Sequence, residues 1–186
     1  AYMSQTAPSV QWNVNYHPYS NPLTRTAFWK DTSSTSANVN TKYISMQNIQ
    51  VLTDYLSNIE GQYGKAGGSI RVIIGELGYT AVKGNAEQER LQAALGYGYY
   101  IAMFNRRIDS YIIRAYNDDP AETSDKLYLG LRDRNHQEKL AYEVYKNLDT
   151  AQSLTVMEPY LQEIGIGSWE SKIAGFDPAA LTAKDF

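Results

Sequence analysis

Glu76 is the residue whose type and position point most directly to chemistry. It follows the apolar run Val72–Gly75 without a break, so its carboxylate stands at the exit of a predicted strand. A carboxylate there is partly removed from water, which is costly unless the group is paired or used. Enzymes that cleave glycosidic bonds use a Glu as nucleophile or acid. The structural alternative is a Glu that bonds a neighbouring Arg and only stiffens the rim.

Arg114 is the natural partner for that carboxylate. It ends another apolar run, and an Arg in that position usually has an acidic partner, so we expect a pair with Glu76. His17 follows a third predicted strand and is read either as a functional group or as a hydrogen-bonded structural residue. Three acids follow Arg114 and could bind a metal or sugar hydroxyls, or simply be solvated: Asp118, Asp119 and Glu122.

Strand and helix patterns alternate along the chain and would position these residues. Gln11–Tyr16 alternates with period two, while Ile70–Gly75 and Ile108–Ala115 are short apolar runs typical of strands buried on both faces. Apolar stripes of helical spacing follow each strand, at Ile49–Ile59, Leu91–Ala102 and Leu140–Leu148. A shorter helix is predicted at Leu154–Ile164. We treat 1–186 as a single partial domain, with 170–186 as a loosely held tail.

This order predicts an α/β fold with a parallel sheet and right-handed crossovers. Parallel sheets place ligand sites at the carboxyl ends of their strands, where Glu76, Arg114 and His17 lie. Three strand–helix units are fewer than the eight of a closed (β/α)8 barrel, and a three-stranded sheet leaves two unpaired edges. The chain therefore pairs with another chain, is one piece of a larger protein, or forms a small open sheet.

Composition excludes several classes of function. A net charge of -3 and a pI near 5.4 argue against a nucleic-acid partner, which usually needs a basic surface. The chain contains no run of about 18 apolar residues, so the sequence predicts no membrane span. The chain has no Cys, and no phosphate loop, H-E-x-x-H or G-x-S-x-G motif, so we expect no metal and no cofactor. The 16 Tyr and 3 Trp suit sugar-binding clefts, and equally suit ordinary interfaces.

Several runs resemble one family. Trp12–Tyr19, Val72–Tyr79 and Tyr111–Arg114 resemble the sixth, seventh and eighth strands of an uncharacterised bacterial domain family, distantly related to clan A glycoside hydrolases. Gly75-Glu76-Leu77-Gly78-Tyr79 stands where that family shows Ser-Glu-Gln-Gly-aromatic. At the eighth strand the family tends to place His before Arg, and here Ile113 replaces the His. The family's last segments follow in order at Leu127–Leu131, Tyr142–Asp149 and Ile164–Trp169.

The resemblance implies a fold and a role for this chain. It would be the C-terminal portion, strands six to eight, of a (β/α)8 TIM barrel, with residues 1–8 ending the preceding helix. Glu76 matches the nucleophile of clan A retaining glycosidases, and His17 and Tyr19 match residues that line the substrate subsite. The general acid of that clan is a Glu after Asn on strand four, and the chain has no Asn-Glu pair. The chain alone is therefore expected to be inactive.

A glycoside-hydrolase-like barrel portion that acts on carbohydrate is thus the leading hypothesis, with the N-terminal barrel half, another chain or self-association covering the sheet edges. The residues expected to contact the carbohydrate are His17, Tyr19, Asn21, Trp29, Tyr79, Arg114, Tyr116 and Asp118. One alternative is a non-catalytic carbohydrate-binding or scaffold protein in which Glu76 pairs with Arg114. Another is a self-assembling α/β domain. The resemblance also implies a secreted or cell-surface bacterial protein.

Overall fold

The central feature is a three-stranded parallel sheet. The computed structural model describes residues 11–64 and 69–182, so the helix end expected at residues 1–8 lies outside the described residues. Strands β1 (Val14–Tyr16), β2 (Val72–Leu77) and β3 (Ile108–Ile113) lie side by side in chain order, and both pairings are parallel. This confirms the predicted α/β fold with parallel strands. β2 runs two residues past its predicted end, so Glu76 lies inside the strand.

Helices follow the strands, and two of the predicted helices are divided. The helices are α1 (Gln50–Tyr63), α2 (Ala86–Ala93), α3 (Leu95–Met103), α4 (Pro120–Thr123), α5 (Leu140–Asn147), α6 (Ser153–Met157) and α7 (Leu161–Ile164). The second predicted stripe breaks at Ala94, and the last one is interrupted by a 3-10 turn at Glu158–Tyr160. Pro159 has no N–H to donate, which disfavours a continuous α-helix there. Among the helices described, none is long and apolar enough to cross a membrane.

A second, two-stranded sheet was not predicted. β4 (Ala115–Asn117) continues directly from β3 after Arg114, and it pairs in parallel with β5 (Gly130–Arg132). The short helix α4 lies between them. Three-residue strands are too short to show a period, so the sequence carries no signal for this sheet. Because β4 follows β3 directly, extended backbone continues past Arg114 to Asn117.

The two faces of the main sheet differ in burial. Val72 and Ile74 are fully buried against the helices, in a core that also holds Leu95. Ile73 and Ile112 point the other way and remain 36% and 47% exposed, because successive strand residues alternate between faces. Helices thus cover one face of the sheet, and the described residues leave apolar side chains exposed on the other.

The segment expected to be a loosely held tail, 170–186, is described up to residue 182, and residues 183–186 lie outside the described residues. Trp169 and Ile173 are both 5% exposed, and Leu181 is 1% exposed. All three belong to the hydrophobic core, and Phe176 packs against it. The described part of this segment, up to residue 182, is therefore packed onto the helices. Its apolar residues are widely spaced, which hides the pattern in the sequence.

Candidate functional site

Glu76 is placed by an irregularity in β2. Ile74 pairs with Tyr111, but the next matched pair is Leu77 with Ile113, so β2 has one residue more than β3 over this stretch. Such bulges bend a strand and redirect side chains, and they are common beside functional sites. Gly75 allows the bend, since a Cβ there would overlap the Asn15 amide on β1. The Glu76 side chain remains 35% exposed at the carboxyl end of the sheet.

Tyr19 and Arg114 hold the Glu76 carboxylate from two sides. The Tyr19 hydroxyl donates a hydrogen bond of 2.8 Å to Glu76 Oε1, and Arg114 Nε lies 3.4 Å from the same oxygen. Burial, reinforced by the hydrogen bond to Glu76, raises the pKa of Tyr19 above its ordinary value of 10.0. Tyr19 therefore stays a protonated donor at neutral pH. The expected pairing of Glu76 with Arg114 is confirmed.

Glu122 joins this cluster through Arg114, which the sequence interpretation missed. Arg114 Nη2 lies 2.8 Å from Glu122 Oε1, so one guanidinium contacts two carboxylates. The turn of α4 brings Glu122 there, with Asp119 as its N-cap accepting from the Ala121 N–H and Pro120 in its first turn. A capping residue followed by Pro is a recognised helix-start signal. That signal could have placed Glu122 on a helix facing Arg114.

Asp118 lies inside the protein and not with Glu76. Its side chain is 3% exposed, and its Oδ1 lies 2.7 Å from Nζ of Lys139, which is 0% exposed. The same oxygen accepts the Gly130 N–H at 2.8 Å, and Lys139 donates to the Tyr128 carbonyl at 3.0 Å. Burial lowers the pKa of Lys139, while Asp118 opposes that change. Asp118 was expected to contact substrate, and its partners are instead internal.

The other expected contact residues are dispersed. His17 and Asn21 are exposed, and the Asn21 N–H donates to Asp31 Oδ2 at 3.0 Å. Tyr79 is only 2% exposed and stacks on Phe28 with ring centroids 5.3 Å apart. Burial raises its pKa well above 10.0. Of these three, only His17 and Asn21 can contact a ligand without rearrangement.

Trp29 and Tyr116 lie in separate surroundings. Trp29 lines a groove that shares no residue with the Glu76 contacts. Tyr116 is 53% exposed, and the Arg132 guanidinium lies over its ring at 4.8 Å and over the Tyr142 ring at 4.4 Å. The structure therefore brings together Tyr19, Glu76 and Arg114, and does not bring Trp29 or Asp118 to them.

The three acids after Arg114 each have a different role. Asp118 pairs with Lys139, Asp119 caps α4, and Glu122 pairs with Arg114. Within residues 11–64 and 69–182, no group of three or more His, Asp or Glu residues is arranged to hold a metal ion. The cluster thus offers one oriented, partly exposed carboxylate beside a cation and a phenol. Such a set can bind hydroxyls, or attack an electrophilic carbon.

Comparison with known proteins identifies the family of this chain but gives no information about its chemistry. A search of the curated proteins gives no match, and a search of the solved structures gives none either. The sequence model of one family, described as a family of unknown function (DUF5722), matches residues 1–172. That match covers Glu76 and also Tyr19 and Arg114, which contact it. The chain therefore belongs to the DUF5722 family, whose function is unknown.

Proposed function

We propose that this chain is part of a glycoside-hydrolase-like enzyme that acts on carbohydrate, with Glu76 in the position of the nucleophile. The observation that carries the proposal is the Glu76 carboxylate, 35% exposed at the carboxyl end of the middle strand and held by Tyr19 and Arg114. A nucleophilic carboxylate must be fixed toward the anomeric carbon. Two contacts on Oε1 fix the group, and Oε2 has no hydrogen bond or ion pair with the part of the chain that the structure describes.

The proposed chemistry needs a second carboxyl group from outside this chain. Retaining glycosidases use two carboxyl groups about 5–5.5 Å apart, one of which protonates the leaving group. Glu122 is a poor candidate, because its Oε1 is held by Arg114 Nη2 at 2.8 Å and its Oε2 is buried. The general acid is therefore proposed to come from the missing strands, and this chain alone should not hydrolyse glycosides.

The open sheet supports the proposal of a larger barrel. In the described residues, β1 and β3 each pair on one side only, and Ile73 and Ile112 are exposed on the face opposite the helices. Strands in that position would form the interior of a (β/α)8 barrel, where such side chains are packed in layers. Its N-terminal half, another chain or a second copy would supply the missing strands. The mass of the chain in solution, measured by light scattering, tests this: a stable monomer of 21.0 kDa would count against it.

A specific experiment tests the role of Glu76. The complete protein would be assayed for release of reducing sugar from a polysaccharide panel, and the active substrate would then be used with Glu76→Gln. We expect the loss of at least about a thousandfold in kcat, because a nucleophile is removed without changing its shape. Glu87→Gln is the matched control, since Glu87 is an exposed Glu in the first turn of α2. Full activity of Glu76→Gln would refute the proposal.

The ion pair itself favours a second candidate. A carboxylate held by Arg114 suits a non-catalytic carbohydrate-binding or scaffold protein equally well. In that case the complete protein would bind an oligosaccharide without cleaving it, and Glu76→Gln would alter the Kd only. The two candidates separate on turnover: product formation by the complete protein supports the enzyme, and binding without product supports the scaffold.

A further inference from the structure

A large groove lies on the helical side of the molecule. It is formed by α1, α3 and the packed segment after Trp169, and it encloses about 650 Å³, within the range of small-ligand sites. We call it the basic groove, and the residues used below are Trp29, Gln47, Gln50, Tyr97, Arg106 and Lys172. None of the residues that contact Glu76 lines it. It is thus distinct from the proposed active site.

Positive charge predominates in the basic groove. Its lining has three cations, Arg106, Arg107 and Lys172, against one carboxylate, Asp54. Arg107 is already engaged, because its Nη2 lies 2.6 Å from Glu60 Oε2. Arg106 and Lys172 are exposed and form no ion pair with the part of the chain that the structure describes. The chain as a whole carries a net charge of -3, so this local surplus of cations is not a general property of the surface.

Aromatic rings and amides line the rest of the basic groove. Trp29 supplies a half-buried ring, whereas Tyr97 is 8% exposed and packs against Phe28 and Trp169. A flat ring with a polar edge suits ligands that are half apolar and half wet, as a pyranose is. Gln47 and Gln50 supply amides that both donate and accept, as sugar hydroxyls require. The indole Nε1 of Trp29 is buried and has no acceptor among the described residues. A buried donor of this kind is normally satisfied by an ordered water or a ligand.

We propose that the basic groove binds an acidic carbohydrate, with a sugar ring against Trp29 and the anionic groups at Arg106 and Lys172. Arg and Lys form their strongest hydrogen bonds with anionic oxygens. A nucleotide fits less well, because no glycine lines the groove, whereas many phosphate sites use glycine backbone N–H groups. This proposal does not depend on the role of Glu76.

Calorimetric titration of the chain tests the proposal. The probes are tetragalacturonate, a chondroitin sulfate tetrasaccharide and, as the neutral match, maltotetraose. We expect at least one acidic probe to bind about tenfold or more tightly than maltotetraose, and added salt to weaken that binding. Arg106→Gln and Lys172→Gln should each weaken it by about tenfold, since each removes a charge-assisted contact. Arg134→Gln, at an exposed Arg outside the groove, should leave it unchanged.

Several results would overturn the proposal. These are no binding of either acidic probe, equal binding of maltotetraose, and unchanged affinity in Arg106→Gln and Lys172→Gln. If an equal concentration of sodium sulfate displaced the probe, the groove would bind anions in general and would not recognise a carbohydrate. Glu76→Gln should bind the acidic probe with the same affinity as the unmodified chain. A weaker affinity in Glu76→Gln would indicate that the probe binds at Glu76 and not in the basic groove. Thermal melting of each variant checks that it is folded.

Discussion

The Glu76–Arg114 pair and the Asp118–Lys139 pair are both carboxylate–cation contacts near strand ends, yet their surroundings differ sharply. The side chains of Glu76 and Arg114 are 35% and 36% exposed, and their closest atoms are 3.4 Å apart. Those of Asp118 and Lys139 are 3% and 0% exposed, and their closest atoms are 2.7 Å apart. Both pairs join a carboxylate to a cation, and Arg114 of the first is close in sequence to Asp118 of the second, so exposure is the main difference.

That difference separates a group that holds the fold from a group that can react. Internal partners surround the Asp118–Lys139 pair, including the Gly130 N–H and the Tyr128 carbonyl, so no ligand is needed to satisfy it. Glu76 has two contacts on one oxygen and keeps a third of its side chain open. A buried pair contributes mainly by the penalty of breaking it, whereas an exposed pair contributes little to stability. The Asp118–Lys139 pair is therefore satisfied within the fold, whereas the Glu76–Arg114 pair keeps the accessible carboxylate that the proposed chemistry requires.

Lys139→Met should have the largest effect on stability. It removes the cation and leaves the Asp118 carboxylate buried without compensation, which costs about 3–5 kcal/mol. Urea denaturation monitored by circular dichroism measures the free energy of unfolding. Lys146→Met is the control, because the Lys146 side chain is 62% exposed and its pair with Glu143 is long, at 3.9 Å. A loss below about 1 kcal/mol for Lys139→Met would remove the distinction between the two pairs.

Gly130→Ala should have the next largest effect. Gly130 donates its N–H to Asp118, and a Cβ at this position would overlap backbone atoms of Asn117 and Asp118. Backbone overlap cannot be relieved by a side-chain rotation, so we expect a loss of about 2–3 kcal/mol. The same denaturation measurement applies.

Gly78→Ala makes the same substitution beside the Glu76–Arg114 pair, for comparison with Gly130→Ala beside the buried pair. A Cβ at Gly78 would lie 3.2 Å from Leu129 Cβ and 3.4 Å from Arg114 Cβ, which are side-chain atoms. Small shifts relieve these contacts, so the expected loss is below about 1 kcal/mol. If Gly78→Ala proved as costly as Gly130→Ala, the Glu76 region would be as tightly packed as the buried pair.

The parallel sheet and the Glu76–Arg114 pair could be predicted because their signals are local. One alternating segment and two apolar runs mark the strands, and Glu76 and Arg114 lie at the ends of the two apolar runs. The burial of Asp118 and its pairing with Lys139 could not be predicted in this way. Both depend on Lys139 and on β5, which lie 12 to 21 residues further along the chain. Nothing in the sequence near Asp118 separates a buried acid from a solvated one.

Trp29 shows the same limit in another form. It follows the first strand and is aromatic, so the sequence groups it with the expected sugar contacts. The 3-10 turn at Phe28–Lys30 places Trp29 among the residues that line the basic groove, together with residues of α1 and α3. Phe28, its neighbour in sequence, stacks on Tyr79 instead. A turn of three residues decides which of two adjacent aromatic residues lines the groove, and short turns leave little trace in sequence patterns.

Tyr19 should make stability depend on pH in the alkaline range. Burial and the bond to Glu76 raise its folded-state pKa above 10.0, so above about pH 10 the unfolded chain loses this proton while the folded chain keeps it. The unfolded state then binds fewer protons, and stability falls as pH rises. Between about pH 10 and 11, the free energy of unfolding should fall by up to about 1 kcal/mol less in Tyr19→Phe than in the unmodified chain.

The control for Tyr19→Phe is Tyr55→Phe, at a tyrosine that is 50% exposed. Urea denaturation at several pH values gives the free energy of unfolding for each variant. We expect the alkaline slope of Tyr55→Phe to match that of the unmodified chain. An unchanged slope in Tyr19→Phe would mean that its hydroxyl reaches water as freely in the folded state as in the unfolded state.

Arg114→Gln should have the smallest effect on stability and the most informative one. The pair with Glu76 is long and partly exposed, so the variant should lose less than about 1 kcal/mol, although the guanidinium also contacts Glu122. A double-mutant cycle with Glu122→Gln isolates that second contact, and we expect a coupling of about 0.5 kcal/mol. A loss as large as that of Lys139→Met would show that Arg114 holds the fold. Glu76 would then be a structural acid, and the reason for assigning chemistry to it would disappear.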